Sequence, residues 1–512
     1  MTDTVDAALR RQALLRRHAL AVVDPGSRVT FGDLELSTRA VAAGLLQAGV
    51  HRGARVGLLM PNGVDWIRLA FAATRIGAVL VPLSTLLAPR ELLAQLRTAS
   101  VQHLIAVDEF RGHRYRQTVD ALRAELPALR SVWTAEQALS LPGAAVGDAV
   151  VDAVTADVRP GADLVIMFTS GSRGAPKGVL HSHGSALGAV RSGLAARCVT
   201  AESRLYLPMP LFWVGGFGAG ALTALVSGAT LVTEPIPTPE STLRLVERER
   251  VTLFRGWPSQ AEALAARLDS VGADLSALRP GSLEALLPEH LRSPKGARAN
   301  LFGMTESFGP YCGFAADTDM PRSAWGSCGK PFPGMEVRIT DPDTGAPVTS
   351  GEVGEIQIRG PHVLRGILGR TRHEVFTADQ FYPTGDLGHL DDDGFLFYHG
   401  RSDDMFKVSG ATVYPGEVED ALRTISGVQA VAVTDVHGRR GPQVGAMIAG
   451  AVGTAELRST VRTLLSSFKI PTVWLVVGDA AEIPRGATGK VDVAALRARL
   501  TDAAGSDDPA VP

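Results

Sequence analysis

The segment LVIMFTSGSRGAPKG, from Leu164 to Gly178, runs an apolar strand pattern into Thr169, Ser170, Gly171, Ser172, Gly174 and Lys177. Hydroxyls, amides left open by glycine and one ammonium suit a polyphosphate. The spacing is not that of a Walker loop, G-x-x-x-x-G-K-S/T, and no G-x-S-x-G nucleophile elbow occurs in the chain. Taken alone, the stretch is ambiguous, a flexible glycine-rich loop being the lesser alternative. His181 and His183 follow it around Ser182 with no acidic or cysteine companion at ligand spacing, so they read as polar residues at a helix start rather than a metal site. Cys198, Cys312 and Cys328 lie far apart, which fits neither a disulfide framework nor a zinc site and points to a reducing cytoplasm. Asp391, Asp392 and Asp393 read as a solvated hairpin turn.

The elements that must position these groups belong to a chain of 512 residues, long enough for two or three domains. With 45% hydrophobic residues and a net charge of -2, neither disorder nor a nucleic-acid surface is indicated, and the partners expected are small molecules. Arg10, Arg11, Arg16 and Arg17 precede no uninterrupted apolar segment, so no export signal is read. The uncharged run from Leu205 to Thr233 has the length of a membrane span, but prolines open it, glycines divide it and no basic cluster flanks it. A loop, a buried helix and a strand explain it better.

The first third alternates helices and strands: a helix capped by Thr30, the strand RVGLLM, a helix from Asp65 closed by Gly77, then AVLVPL, a helix from Pro89, and HLIAVD. Such units build a parallel sheet covered on both faces, an α/β fold. From about Trp325 the texture changes to short strands and turns, a β-rich subdomain over about 325–400. Residues 402–512 read as a separate α+β lid on an N-terminal domain of 1–401, with the tail from Thr501 to Pro512 frayed.

TSGSRGAPKG resembles the phosphate-binding loop of the adenylate-forming superfamily, which includes acyl-CoA synthetases, luciferases and peptide-synthetase adenylation domains. The superfamily's other motifs follow in order: NLFGMTES, GEIQIRG, FYPTGDLG, GRSDDMFKVSGATVYPGEVE and PRGATGK. Six motifs in one order span nearly the whole chain. The resemblance implies an AMP-forming acid–thiol ligase using ATP, Mg²⁺ and coenzyme A. It activates a carboxylic acid as an acyl-adenylate with release of pyrophosphate, then passes the acyl group to the thiol. A stand-alone ligase that loads an acyl-carrier protein is the alternative.

By that resemblance Phe302 lies against the adenine, Gly303 beside it, and Thr305 and Glu306 hold phosphate and Mg²⁺, the hard-ligand arrangement such a cation requires. Asp386 accepts from the ribose hydroxyls with Arg401 assisting, and Gly281 with Ser282 take the place of a small-residue pair near the adenine. Lys490 bridges carboxylate and α-phosphate, stabilising the charge that develops there. Asp403 is the hinge of the lid; Lys407, Ser409 and Gly410 lie along the thiol channel. No protein nucleophile is needed, which accounts for the absence of a Ser/His/Asp or Cys/His constellation. Retention of Lys177, Glu306, Asp386, Arg401 and Lys490 together speaks against a noncatalytic relative.

Trp213 stands where many family members have histidine and where amino-acid-activating members have aspartate, so an α-amino acid substrate is not expected. A pocket bounded by Trp213, Phe217, Trp257, Gly303, Met304 and Cys312 is mainly apolar, which implies an aromatic or medium-chain aliphatic acid.

Overall fold

The computed structural model describes residues 4–169, 177–402, 406–408, 411–413, 415–438, 441–465, 469–486 and 489–506. The chain divides into a larger unit, Met1–Val337 with Ile358–Tyr382 and Asp393–Leu396, and a smaller one, Arg338–Gln357 with Pro383–Asp392 and Phe397–Pro512.

The two largest sheets of the larger unit have seven and five strands. One has seven strands in the order Gly366–Ile367, Lys177–Ser182, Asp163–Thr169, Val79–Pro82, Arg55–Leu59, His103–Ala106, Ser131–Thr134. The last five run parallel; Lys177–Ser182 is antiparallel to both its neighbours. All four residues of Val79–Pro82 and of His103–Ala106 are buried, as expected of strands covered on both faces. The helix Phe31–Gln47 starts at Thr30, whose Oγ1 accepts from Asp33 N at 3.1 Å. Val64–Arg75 is followed by Gly77 at φ 73°, the left-handed turn that returns the chain to the sheet.

The second sheet orders Leu253–Phe254, Arg204–Tyr206, Thr230–Val232, Leu20–Val23 and Arg28–Thr30. Two of its strands bracket the uncharged run, and the middle of that run is helical over Val214–Gly216, Phe217–Leu222 and Thr223–Ser227. Phe217–Leu222 is wound as a π-helix, and Thr223 Oγ1 closes it by donating to Gly218 O at 2.8 Å. Gly216 has to be glycine, because a Cβ there would fall 2.0 Å from Pro210 O. No helix among the described residues is long and apolar enough to cross a membrane.

The smaller unit carries the hairpin Phe406–Val408 and Ala411–Val413, and a three-stranded sheet of Val428–Gly438, Gly441–Gly450 and Val473–Val477. Helices Pro415–Arg423, Thr454–Leu464 and Val493–Ser506 accompany them. The frayed tail expected over Thr501–Pro512 is corrected in its first part, where the last helix continues to Ser506; residues 507–512 lie outside the described residues. Leu496 and Leu500, both fully buried, pack with Val436 and Met447, and that burial outweighs the small polar residues that suggested fraying.

Candidate active site

Thr169 and Lys177 face each other in antiparallel register, so the glycine-rich loop is closed at its base by a strand pair. Ser170, Gly171, Ser172 and Gly174 lie outside the described residues. Lys177 Nζ is 2.6 Å from Glu306 Oε1 and donates to Tyr382 Oη at 3.2 Å, while Tyr382 Oη donates to the same carboxylate oxygen at 3.1 Å. Glu306 is 4% exposed, so its carboxylate is nearly dry, while the Lys177 side chain keeps 24% of its surface in solvent.

Glu306 stands in the tight turn Thr305–Ser307, between strands Phe302–Met304 and Gly309–Gly313. Ser307 knits the turn, its Oγ donating to Gly309 O at 2.7 Å and accepting from Met304 N at 3.2 Å. Leu364 N donates to Glu306 O at 2.7 Å from outside. Phe308 sits at φ 53° and Gly309 at φ 114°, the left-handed pair that lets so short a turn close. A Cβ on Gly303 would fall 2.1 Å from Gly309 O, so FGM keeps its glycine for backbone approach.

His181, on the strand Lys177–Ser182, places Nε2 2.8 Å from Thr305 O; the contact requires the proton on Nε2. Ser182 caps the helix His183–Ser192, so the helix-start reading holds for His183 and is corrected for His181, a strand residue facing the acidic turn. The sequence reading missed this role because a lone buried histidine carries no spacing signal. Burial pushes both imidazoles down from the ordinary 6.5 to about 4, against weaker opposing contributions at His181 from Thr305 O and Glu306. Both are neutral in the fold and free to protonate once unfolded. Between about pH 6.5 and 4 the unfolded chain therefore binds more protons, so these groups add stability that is lost as pH falls through that window. Thermal melts across the window should show Tm dropping with acidification; a flat Tm would contradict the assignment.

The expected acyl-pocket residues fall into separate groups. Trp213 and Trp257 meet edge to face at 6.3 Å, Phe212 stands edge-on to Trp213 at 5.6 Å, and Trp257 is 39% exposed. Gly303 and Met304 share the hairpin of Cys312, which is fully buried opposite Phe302. Phe217 is also fully buried, packed edge-on between Trp66 at 5.6 Å and Phe308 at 6.2 Å, in the main hydrophobic core. Ser282 is buried with its Oγ accepting from Phe254 N at 3.1 Å, so that hydroxyl finishes a strand edge. Gly281 takes φ 94° beside the Arg255 guanidinium.

In the smaller unit Asp386 is buried in the strand Tyr382–Leu390, and Arg401 Nη1 donates to its Oδ1 at 3.3 Å and to Thr384 O at 3.0 Å. Gly385 at φ 71° makes room: a Cβ there would lie 2.8 Å from Arg401 Nη2. Lys407 belongs to the strand Phe406–Val408, its backbone opposite Thr412. Asp403, Ser409 and Gly410 lie outside the described residues. Lys490 is exposed on a loop closed by the Arg485–Val491 bridge, with Gly486 N donating to Lys490 O at 2.8 Å.

The described residues contain no group of three or more His, Cys, Asp and Glu that could hold a metal ion by themselves. A hard cation bound beside a polyphosphate takes one or two protein carboxylates and phosphate oxygens of the substrate. Glu306 fits the part, since its hydrogen bonds from Lys177 and Tyr382 converge on one oxygen.

Residues 9–368 match the family model described as AMP-binding enzyme. The chain belongs to that family. Within it, the chain is an AMP-forming ligase of the acyl-CoA synthetase kind, a member of the adenylate-forming superfamily. It is 32% identical over 505 residues to a feruloyl-CoA synthase of an Amycolatopsis species, covering 96% of this chain and 98% of that one. It is 30% identical over 523 residues to an indoleacetate–CoA ligase of Aromatoleum aromaticum, with the same coverage of 96% and 98%. Among solved structures, the anthranilate CoA ligase AuaEII in complex with anthranoyl-AMP superposes with a TM-score of 0.82 at 25% identity, covering 98% of each chain.

Proposed function

We propose that this AMP-binding enzyme activates an apolar, preferentially aromatic, carboxylic acid and transfers it to coenzyme A. The Lys177–Glu306–Tyr382 cluster at the foot of the phosphate loop carries this reading. In the first step a carboxylate oxygen of the acid attacks the α-phosphorus of ATP, and the bond to pyrophosphate breaks. Lys177 and the loop hydroxyls of Thr169, Ser170 and Ser172 hold the polyphosphate, and Lys490 meets the charge at the α-phosphate. Glu306 with Thr305 would hold Mg²⁺, which when bound neutralises phosphate charge. Phe302 supports the adenine; Asp386, steadied by Arg401, accepts from the ribose hydroxyls.

In the second step the coenzyme A sulfur attacks the carbonyl carbon of the mixed anhydride and AMP leaves. Residues 402–512 act as a lid pivoting at Asp403, with Lys407, Ser409 and Gly410 along the thiol path. Coenzyme A is preferred to a carrier protein because the relatives described above are named for coenzyme A. Their names also specify aromatic acids, which agrees with the paired indoles of Trp213 and Trp257. A panel of aryl and alkyl acids assayed with and without coenzyme A tests the acid class; a strict preference for short polar acids would refute it.

Trp213→Ala should lose kcat/KM for the best acid and gain relative activity on a bulkier homologue. Removing an apolar wall is worth about 1–3 kcal/mol per methylene-sized contact, roughly 10- to 200-fold in specificity. Acids are compared on one variant, so a general loss of folding cancels. An unchanged ranking with uniformly lower rates would make Trp213 a packing residue.

A further inference from the structure

We propose that His181 is a positioning residue for adenylation: its Nε2–H bond to the Thr305 carbonyl fixes the peptide plane that aims Glu306, and so tunes affinity for the magnesium–nucleotide complex. This rests on the reading of Glu306 given above. Lys177 and His181 are four residues apart on one regular strand and therefore share a face. That face grips the Thr305–Ser307 turn twice, Lys177 at the carboxylate at 2.6 Å and His181 at the preceding carbonyl at 2.8 Å. The carbonyl of Thr305 and the amide of Glu306 belong to one rigid peptide unit, so holding one orients the other.

The imidazole itself has little freedom. It is fully buried, its Nδ1 faces Ser185 Oγ at 3.4 Å, and its ring stands edge-on to Phe308 at 4.9 Å. Phe308 closes the same turn through its N–H bond to Thr305 O at 3.0 Å. Thr305 O thus takes two donors, one from the turn and one from the strand that carries Lys177. Groups that orient a ligand from behind typically change metal affinity or activity by about 10- to 100-fold when removed.

His181→Asn and His181→Gln separate positioning from packing. Both keep a polar amide in the cavity, but only glutamine reaches the place of Nε2, whereas asparagine stops near that of Nδ1. The measurements are acid-dependent pyrophosphate exchange against magnesium concentration, acyl transfer from presynthesised acyl-adenylate to coenzyme A, Tm, and calorimetric titration with magnesium–ATP. His181→Asn should lower exchange about 10- to 100-fold and raise the half-saturating magnesium concentration. His181→Gln should remain within about threefold of the parent, since the hydrogen bond is restored. Both should transfer at the parental rate and melt alike. Equal impairment of the two variants, or transfer falling in step with exchange, would overturn the role. If the parent shows no exchange with any acid, the adenylation reading fails. The nucleotide titrations then still judge His181, because equal affinities in the Asn and Gln variants contradict positioning.

Discussion

Lys490→Ala should slow acid-dependent pyrophosphate exchange by about 100- to 1,000-fold, the usual cost of removing one group that meets developing charge. The lysine is exposed on its loop, so it has no packing role and the variant should melt with the parent. Its proposed work is confined to the first step, where negative charge gathers between the carboxylate and the α-phosphate. Acyl transfer from presynthesised adenylate should therefore proceed within a few-fold of the parental rate. Exchange and transfer measured side by side decide the point; equal loss in both would show that Lys490 does not act on the adenylation step alone.

Glu306→Gln is expected to have a comparable effect for a different reason. The residue is 4% exposed and receives Lys177 at 2.6 Å and Tyr382 at 3.1 Å, so the amide keeps the shape of the site while removing its negative charge. Loss of the proposed hard-cation ligand should lower exchange by about 100-fold or more and raise the magnesium requirement. An amide in place of the carboxylate also leaves the Lys177 ammonium without its counter-charge, which costs stability, so Tm should fall as well. Magnesium titration of the exchange rate is the check. A variant with parental magnesium dependence would place the cation elsewhere.

Much of the larger unit was legible in the sequence because its signals are local. Thr30, Gly77 and Pro89 each mark a helix end by a mechanism confined to one turn, and each stands at or beside the end it predicts. The ion pair of Lys177 with Glu306 joins residues far apart in the chain, and only the motif order suggested that they meet. His181 was illegible because its partner is a backbone carbonyl 124 residues away, and backbone atoms leave no trace in composition. Phe217 shows the converse: it lies in an apolar motif that suggested a pocket wall, while tertiary packing against Trp66 and Phe308 places it in the core. The last helix was missed for a related reason. Its Ala, Asp and Gly residues carry little apolar signal, and its order comes from two leucines buried on another element.

The most direct test of the central claim is the nucleotide balance during thioester synthesis with an aromatic acid and coenzyme A. Activation through an acyl-adenylate should release AMP and pyrophosphate in equal amounts, one of each per thioester, with pyrophosphate exchange requiring the acid but not coenzyme A. Release of ADP and orthophosphate, or exchange that appears only when coenzyme A is present, would contradict activation through an acyl-adenylate.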